Sequence, residues 1–227
     1  MTHRWEARSL RTHLGNVRGQ AMFGVVHGGV GQAMRRHSAA FVESMPFDGI
    51  AIGGSLGRDR EELLDILTHV RGPPSPSRSP SSSSSSLFSG LGVGWSFGSR
   101  DHRDADGRPA RPVHLLGIGD EASIAASLPY GIDTFDSAFP TRLGRHGTLL
   151  ISGGARVNIR NRVHRNDLSP IDPLCKCWTC RHYSRAYLHH LVRAREPLGG
   201  QLMTLHNLAY MLRAMAGYRN DILNDRI

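Results

Sequence analysis

Cysteine is scarce and confined. The chain has three, all within Cys175-Lys-Cys177-Trp-Thr-Cys180. That argues against a disulfide framework: two cysteines one residue apart do not readily meet disulfide geometry, and one thiol would be left over. Lysine is almost missing as well, and the basic residues are nearly all arginine. No run of 18 apolar residues occurs, which excludes a transmembrane helix and leaves no membrane partner to expect. No apolar core follows Met1-Thr-His-Arg-Trp-Glu6, so no secretory signal is expected there. Apolar residues make up 39%, low for a globular chain. Acid is in deficit: Asp+Glu number 19 against 28 Lys+Arg, a net charge of +9. Such a surplus suggests a polyanionic partner, nucleic acid first, and arginine suits bidentate phosphate contact. A GC-rich coding sequence would produce the same arginine bias without any partner.

The clustered thiols are the strongest signal present. Thiolates bind zinc well, and four soft or borderline ligands close a tetrahedral structural site. Cys175, Cys177 and Cys180 supply three from one turn, and His206 is the best-placed fourth. The stretch between reads as two helical pieces broken at Pro197-Leu-Gly-Gly200, a hairpin that returns the imidazole to the thiolates. Reduced, metal-bound cysteines fit an intracellular compartment, the cytoplasm or an organelle.

Elsewhere the pattern alternates strand and helix. Residues 2–14 read as a helix without a convincing N-cap. Strands are expected at 21–27, 48–53, 112–117 and 131–136, each short, apolar and followed by glycine or a polar residue. Helices are expected at 31–44, with Ala33, Met34, Ala40 and Phe41 inward, at 59–70, with Leu63, Leu64, Leu67 and Val70 inward, and at 121–128. Four β-then-α units argue for an α/β fold with a parallel sheet, and polar strand ends argue for half of an eightfold barrel. After Asp136 the repeat stops. Residues 148–151 and 155–159 read as a β-hairpin around Gly153-Gly154. Helices at 182–194 and 200–224 follow, the last with a stripe of Leu202, Leu205, Ala209, Leu212, Ala216 and Arg219.

Residues 72–110 break the pattern with Pro73-Pro-Ser-Pro-Ser-Arg-Ser-Pro80 and six consecutive serines, 81–86. Such composition cannot bury enough apolar surface to fold and reads as a disordered insertion. An arginine/serine tract binding RNA, or a retained intron, would read the same. The domain plan is therefore barrel units in 1–71 and 111–147, insertion 72–110, and a hairpin, zinc subdomain and terminal helices in 148–227.

The phrases Phe23-Gly-Val-Val-His-Gly-Gly29, Ala51-Ile-Gly-Gly54, Leu116-Gly-Ile-Gly119, Gly131-Ile-Asp-Thr-Phe-Asp136 and Pro140-Thr-Arg142 resemble those of tRNA-guanine transglycosylases. So do Asn158-Ile-Arg160, Pro170-Ile-Asp-Pro173, the cysteine turn, Ser184-Arg-Ala-Tyr-Leu-His-His190 and His206-Asn-Leu-Ala-Tyr210. His206 lies 31 positions after Cys175 (206 minus 175), where the family places its fourth zinc ligand. The resemblance covers nearly the whole chain outside the insertion.

It implies a modified eight-stranded barrel with a structural zinc subdomain. It implies exchange of guanine at the tRNA wobble position for a deazaguanine, queuine or preQ1, through a covalent aspartyl-ribose intermediate. Spacing alone leaves Asp133 and Asp136 equivalent candidates for the nucleophile; the resemblance selects Asp136. It further implies that His27, Gly28, Gly53, Gly54 and Leu116 meet the base. Gly117, Gly119, Asp120, Thr141, Arg142 and Arg145 are implied to lie in loops that hold the tRNA, and a homo- or heterodimer is implied as the assembly. His27 stands where the family usually has glutamine, Leu116 where methionine is frequent, and Ser55-Leu-Gly-Arg58 also departs from the common pattern, which points either to a branch with altered base selectivity or to neutral drift. The family's DSGG-type loop does not occur, so the chain is expected to correspond to the C-terminal part of such an enzyme. A non-catalytic, zinc-stabilised tRNA-binding or partner subunit is the alternative.

Overall fold

The computed structural model describes residues 1–16, 19–74, 111–224 and 226. Nearly all of the expected insertion, residues 75–110, lies outside them. The chain divides into two compact units. One comprises Met1–Leu116, Ser127–Thr134 and Ile222–Ile227; the other Gly117–Ala126 and Phe135–Asp221.

In the first unit, α1 (Thr2–Leu14) precedes β1 (Phe23–Val26), α2 (Gln32–Ser44), β2 (Gly49–Ile52), α3 (Arg60–Arg71) and β3 (Val113–Leu115). β1 pairs with β2 and β2 with β3, both parallel, and β4 (Thr134–Phe135) completes the order β1-β2-β3-β4. Each strand thus lies beside its predecessor in sequence, as the βα reading expects. The core gathers Leu10, Val26, Ala39, Val42, Phe47 and Ile50. α3 starts where it should: the Asp59 side chain accepts from the Glu62 N–H, an N-cap with acidic residues in the first turn.

The inward face of α2 differs from expectation. Arg35, Ser38, Ala39 and Val42 are buried, while Met34 is 66% exposed. Four residues, not the apolar count, decide the phase: 35, 38, 39 and 42 follow the helical repeat, and the guanidinium at 35 has polar partners inside. β4 is also shorter than expected, two residues in place of six.

The second unit contains nearly all of α4 (Glu121–Ser127), α5 (Phe139–Arg145) and the antiparallel hairpin β5 (Thr148–Ile151) and β6 (Ala155–Asn158); the 3-10 turn at Leu128–Tyr130 belongs to the first. α6 (Trp178–His182), α7 (Arg185–Ala194) and α8 (Pro197–Leu223) follow. Leu149, Ile159, Ile171, Leu188, Leu191, Leu202 and Met203 form its core.

Three readings are corrected here. Thr141–Arg145 is not loop but most of α5. Pro197-Leu-Gly-Gly200 is not a break but the first turn of α8; the chain reverses one step earlier, at Arg195, whose φ of 61° closes α7. Finally, the buried stripe of α8 is Gly199, Leu202, Met203, His206, Asn207, Tyr210 and Met211, whereas Leu205 and Leu212 are exposed.

Candidate active site and metal centre

His27, Gly53 and Leu116 are the residues that directly follow β1, β2 and β3. Gly28 has φ 144°, and a Cβ there would lie 2.8 Å from the Arg35 nitrogen, so only glycine turns the chain this tightly against α2. At Gly53 the obstacle is a neighbour: a Cβ would sit 2.5 Å from Leu116 Cδ1. The Leu116 side chain therefore lies on the end of β2. The His27 backbone N–H donates to Ser38 Oγ at 3.0 Å.

Arg35, which the sequence reading missed, ties these turns together. Its guanidinium donates to Gly29 O (2.7 Å), Val26 O (3.0 Å), Gly53 O (2.8 Å) and Ser55 O (2.6 Å). It is fully buried, and burial lowers its pKa. Five fixed donors on one plane suit such a cage of carbonyls. The only signal available beforehand was its position on the 35-38-42 stripe of α2.

Both aspartates are exposed, and each accepts from a backbone N–H. Asp133 Oδ2 accepts from the Val113 N–H at 2.7 Å, holding β3 to the strand after it. Asp136 follows β4 and is exposed; its Oδ1 accepts from the Gly117 N–H at 3.2 Å. Ser137 Oγ donates to Gly117 O at 3.4 Å, so the segments around 117 and 136 are joined. Asp120 caps α4, accepting from the Ser123 N–H at 3.0 Å. Thr141 Oγ1 donates back to Ala138 O within α5, and Arg142 and Arg145 are exposed in its last turn.

The four expected metal ligands do converge. One ligand atom from each of Cys175, Cys177, Cys180 and His206 lies within 4.8 Å of all the others. His206 Nδ1 is 3.6 Å from Cys177 Sγ and 3.3 Å from Cys180 Sγ. A tetrahedral zinc with the usual Zn–S and Zn–N lengths puts sulfur and nitrogen about 3.6 Å apart, so the spacing suits that ion. His206 Nε2 donates to Leu150 O at 2.7 Å, which leaves the Nδ1 lone pair facing the thiols. The imidazole is fully buried and burial lowers its pKa, keeping it the neutral form a metal requires. α6 begins at the site: Cys177 is its N-cap, with Sγ 3.5 Å from the Cys180 N–H. Burial raises the Cys177 and Cys180 thiols. Burial works the same way on Cys175, but the Cys177 N–H and the Arg213 guanidinium outweigh it and hold that thiol low.

Asn207, beside the ligand, is fully buried. Its Oδ1 accepts from Leu150 N, and its Nδ2 donates to Pro140 O and Thr148 O, each at 3.0 Å. The two residues 206 and 207 thus fasten α8 to β5 and to the start of α5. No helix among the described residues is long and apolar enough to cross a membrane.

The chain matches the family model described as queuine tRNA-ribosyltransferase over residues 1–81 and 105–227. It is 44% identical over 227 residues to a queuine tRNA-ribosyltransferase of Chlamydia abortus, covering all of this chain and 52% of that protein. With the protein of the same name from Roseiflexus sp. it shares 39% over 238 residues, 99% of this chain and 51% of the relative. The chain spans about half the length of the curated relatives it matches, and corresponds to their C-terminal part. It belongs to the queuine tRNA-ribosyltransferase family of tRNA-guanine transglycosylases.

Proposed function

We propose that this chain is the C-terminal part of a tRNA-guanine transglycosylase, a pentosyltransferase that exchanges guanine at the tRNA wobble position for queuine or preQ1 in queuosine biosynthesis. The observation that carries the reading is the setting of Asp136, an exposed carboxylate held by the Gly117 N–H just after a sheet strand. Asp133, also exposed, is held more tightly by the Val113 N–H (2.7 Å against 3.2 Å), which suits a structural role better and favours Asp136 as nucleophile.

In this mechanism an Asp136 oxygen attacks ribose C1′. The C1′–N9 bond breaks, and its electron pair leaves with guanine, which is protonated as it departs. The ester so formed resembles the glycosyl-enzyme of retaining glycosidases. The incoming base then attacks C1′ through its own ring nitrogen, loses that proton, and expels the carboxylate, so configuration at C1′ is retained after two displacements. His27, Gly28, Gly53, Gly54 and Leu116 form the floor for the base: glycine turns expose backbone groups to its edge, and Leu116 offers an apolar surface to its face. His27 in place of a carboxamide keeps a ring nitrogen for hydrogen bonding and changes the donor–acceptor pattern, which supports altered base selectivity. Arg142 and Arg145 on α5 are the phosphate contacts, with Gly117, Gly119, Asp120 and Thr141 beside them.

We assign the βα units of 1–71 and 111–147 to part of a TIM-type barrel, and 148–227 to a hairpin, a zinc subdomain and terminal helices. Cys175, Cys177, Cys180 and His206 would hold a structural zinc: with four protein ligands it leaves no position for substrate, and its contribution is rigidity. The enzyme works as a homo- or heterodimer in the cytoplasm or an organelle.

The test is incorporation of labelled guanine into tRNA, by this chain and by the product of its gene extended upstream. Incorporation abolished by Asp136→Ala, with tRNA binding retained, is the expected result; the loss should be at least about a thousandfold. An extended product that binds tRNA but never exchanges base overturns the enzyme reading and favours a non-catalytic partner subunit.

A further inference from the structure

We infer that Glu121 and Tyr210 are positioning residues for the nucleophile: their hydrogen bond sets the Gly117–Asp120 turn that holds Asp136. The inference rests on the assignment of Asp136 above.

The turn meets the nucleophile segment at three points. The Gly117 N–H donates to Asp136 Oδ1 at 3.2 Å, and Ser137 Oγ donates to Gly117 O at 3.4 Å. Gly119 is buried against Ser137, where a Cβ would collide with that side chain. Residues 117–120 and 136–138 both lie between regular elements, so their geometry depends on what those elements are fixed to.

α4 leaves the turn directly, with Asp120 capping it and Glu121 as its first residue. Its seven residues are too few to be stable as a helix alone, so tertiary contacts must place it. Glu121 supplies the anchor. Its Oε2 accepts from the Tyr210 hydroxyl at 2.6 Å, the length of a charge-assisted bond to a carboxylate. Its carbonyl accepts from the Tyr218 hydroxyl at 3.5 Å. The Tyr210 ring belongs to a core with Ile124 of α4, Leu150 and Met211, against which Phe135 and Phe139 pack. Those two aromatics bracket residues 136–138. α8 meets the same stretch again through Asn207, whose Nδ2 donates to Pro140 O. One helix thus supports both sides of the contact: the turn through Glu121, and the nucleophile segment through Phe135, Phe139 and Pro140. The Tyr210 ring does the packing, and its hydroxyl adds the link to Glu121, so Tyr210→Phe removes the link and leaves the packing.

Two readouts test this. In the chain as it stands, Asp136→Ala removes the hydrogen bond to Gly117 and should move the Gly117 amide proton upfield in NMR spectra. Tyr210→Phe and Glu121→Ala should move it the same way, and Glu121→Gln, which keeps an acceptor, should move it least. In the upstream-extended product, Tyr210→Phe and Glu121→Ala should each lower kcat for guanine exchange by about 10- to 100-fold, with KM for base and tRNA unchanged. The double variant should fall no further, because both changes break one bond. A Gly117 amide that ignores Asp136→Ala overturns the inference, as does a parent-like kcat in Tyr210→Phe or a rise in KM alone. A lowered melting temperature with the Gly117 shift and kcat intact is the mark of packing without positioning, and overturns it too. If Tyr210→Phe does not fold, a parent-level kcat in Glu121→Ala overturns it equally. An extended parent that exchanges no base overturns the assignment of Asp136; a Gly117 shift in the variants then still supports the link to that carboxylate, and an unmoved amide overturns it.

Discussion

Replacing Arg35 by methionine tests how the two glycine turns are held. The side chain is buried and donates to four carbonyls at 2.6 to 3.0 Å. One of them, Val26 O, also receives the Gly53 N–H at 3.1 Å, so three lose the partner described here. A hydrogen bond to a charged group is worth about 1.5–3 kcal/mol, and the four together therefore carry roughly 6–12 kcal/mol gross. Against this stands the cost of burying the guanidinium, which methionine does not pay. The expected net loss is about 3–5 kcal/mol, the range seen when a buried charged network loses a member. For a chain of this size that corresponds to a fall of about 6–20 °C in melting temperature. Arg35→Lys keeps the charge, but three donors on one nitrogen cannot span the cage, so an intermediate loss is expected. Urea denaturation gives the free energy, and hydrogen exchange at the Gly53 amide reports the turn itself. The guanidinium stays charged at every accessible pH despite burial, so the difference between parent and variant should not vary from pH 5 to 9. A methionine variant within about 1 kcal/mol of the parent, with the Gly53 amide equally protected, refutes the reasoning.

Two further tests address the second unit. Asn207→Leu should destabilise the chain by about 3–5 kcal/mol in urea melts, because Leu150 N, Pro140 O and Thr148 O lose a buried partner together; a loss below about 1 kcal/mol would mean that water replaces the amide. Asp167 should contribute to acid sensitivity. The Ser169 hydroxyl, then the Ser169 N–H and Arg185, outweigh desolvation and bring its pKa down to about 2. A depressed folded pKa gives stability that is present above the unfolded value near 4 and lost as pH falls toward about 2. The stability of the parent should therefore decline through that window more steeply than that of Asp167→Asn, measured by urea melts at pH 5, 3.5 and 2.5; parallel slopes would rule the carboxylate out.

What could be read beforehand followed from local chemistry. The strands were visible because each is a short apolar run ended by glycine or a polar residue; the cap of α3, with Asp59 three residues before Glu62, was open to reading from the same stretch and went unread. The phases of α2 and α8 were misread for one reason: apolar counting gives no weight to a buried polar residue. Arg35, His206 and Asn207 define the inward faces of their helices; His206 was read only as a ligand, and Arg35 and Asn207 were given no place in the packing. The start of α8 was misjudged because proline and glycine were taken as breakers. Proline at the first helical position costs no hydrogen bond, and Gly199 lets α8 pass α7 where a Cβ would come 3.1 Å from Leu191 Cβ.

The metal centre shows where this limit falls. The four residues whose donor atoms converge there, Cys175, Cys177, Cys180 and His206, were legible because three of them share one turn and thiols have few other uses in a reduced chain. The ion pair of Asp172 and Arg213 was not. They stand 41 residues apart, and each alone is an ordinary charged residue. Only the return of α8 onto the cysteine turn makes a pair of them, and that return is fixed by the same helix that carries His206. The His206 imidazole and the Arg213 guanidinium thus ride on one helix: a change that rotates α8 by part of a turn moves both together. It follows that substitutions at the buried stripe of α8, at Leu202 or Met203, should weaken metal binding without touching a ligand, whereas substitutions at the exposed Leu205 or Leu212 should not.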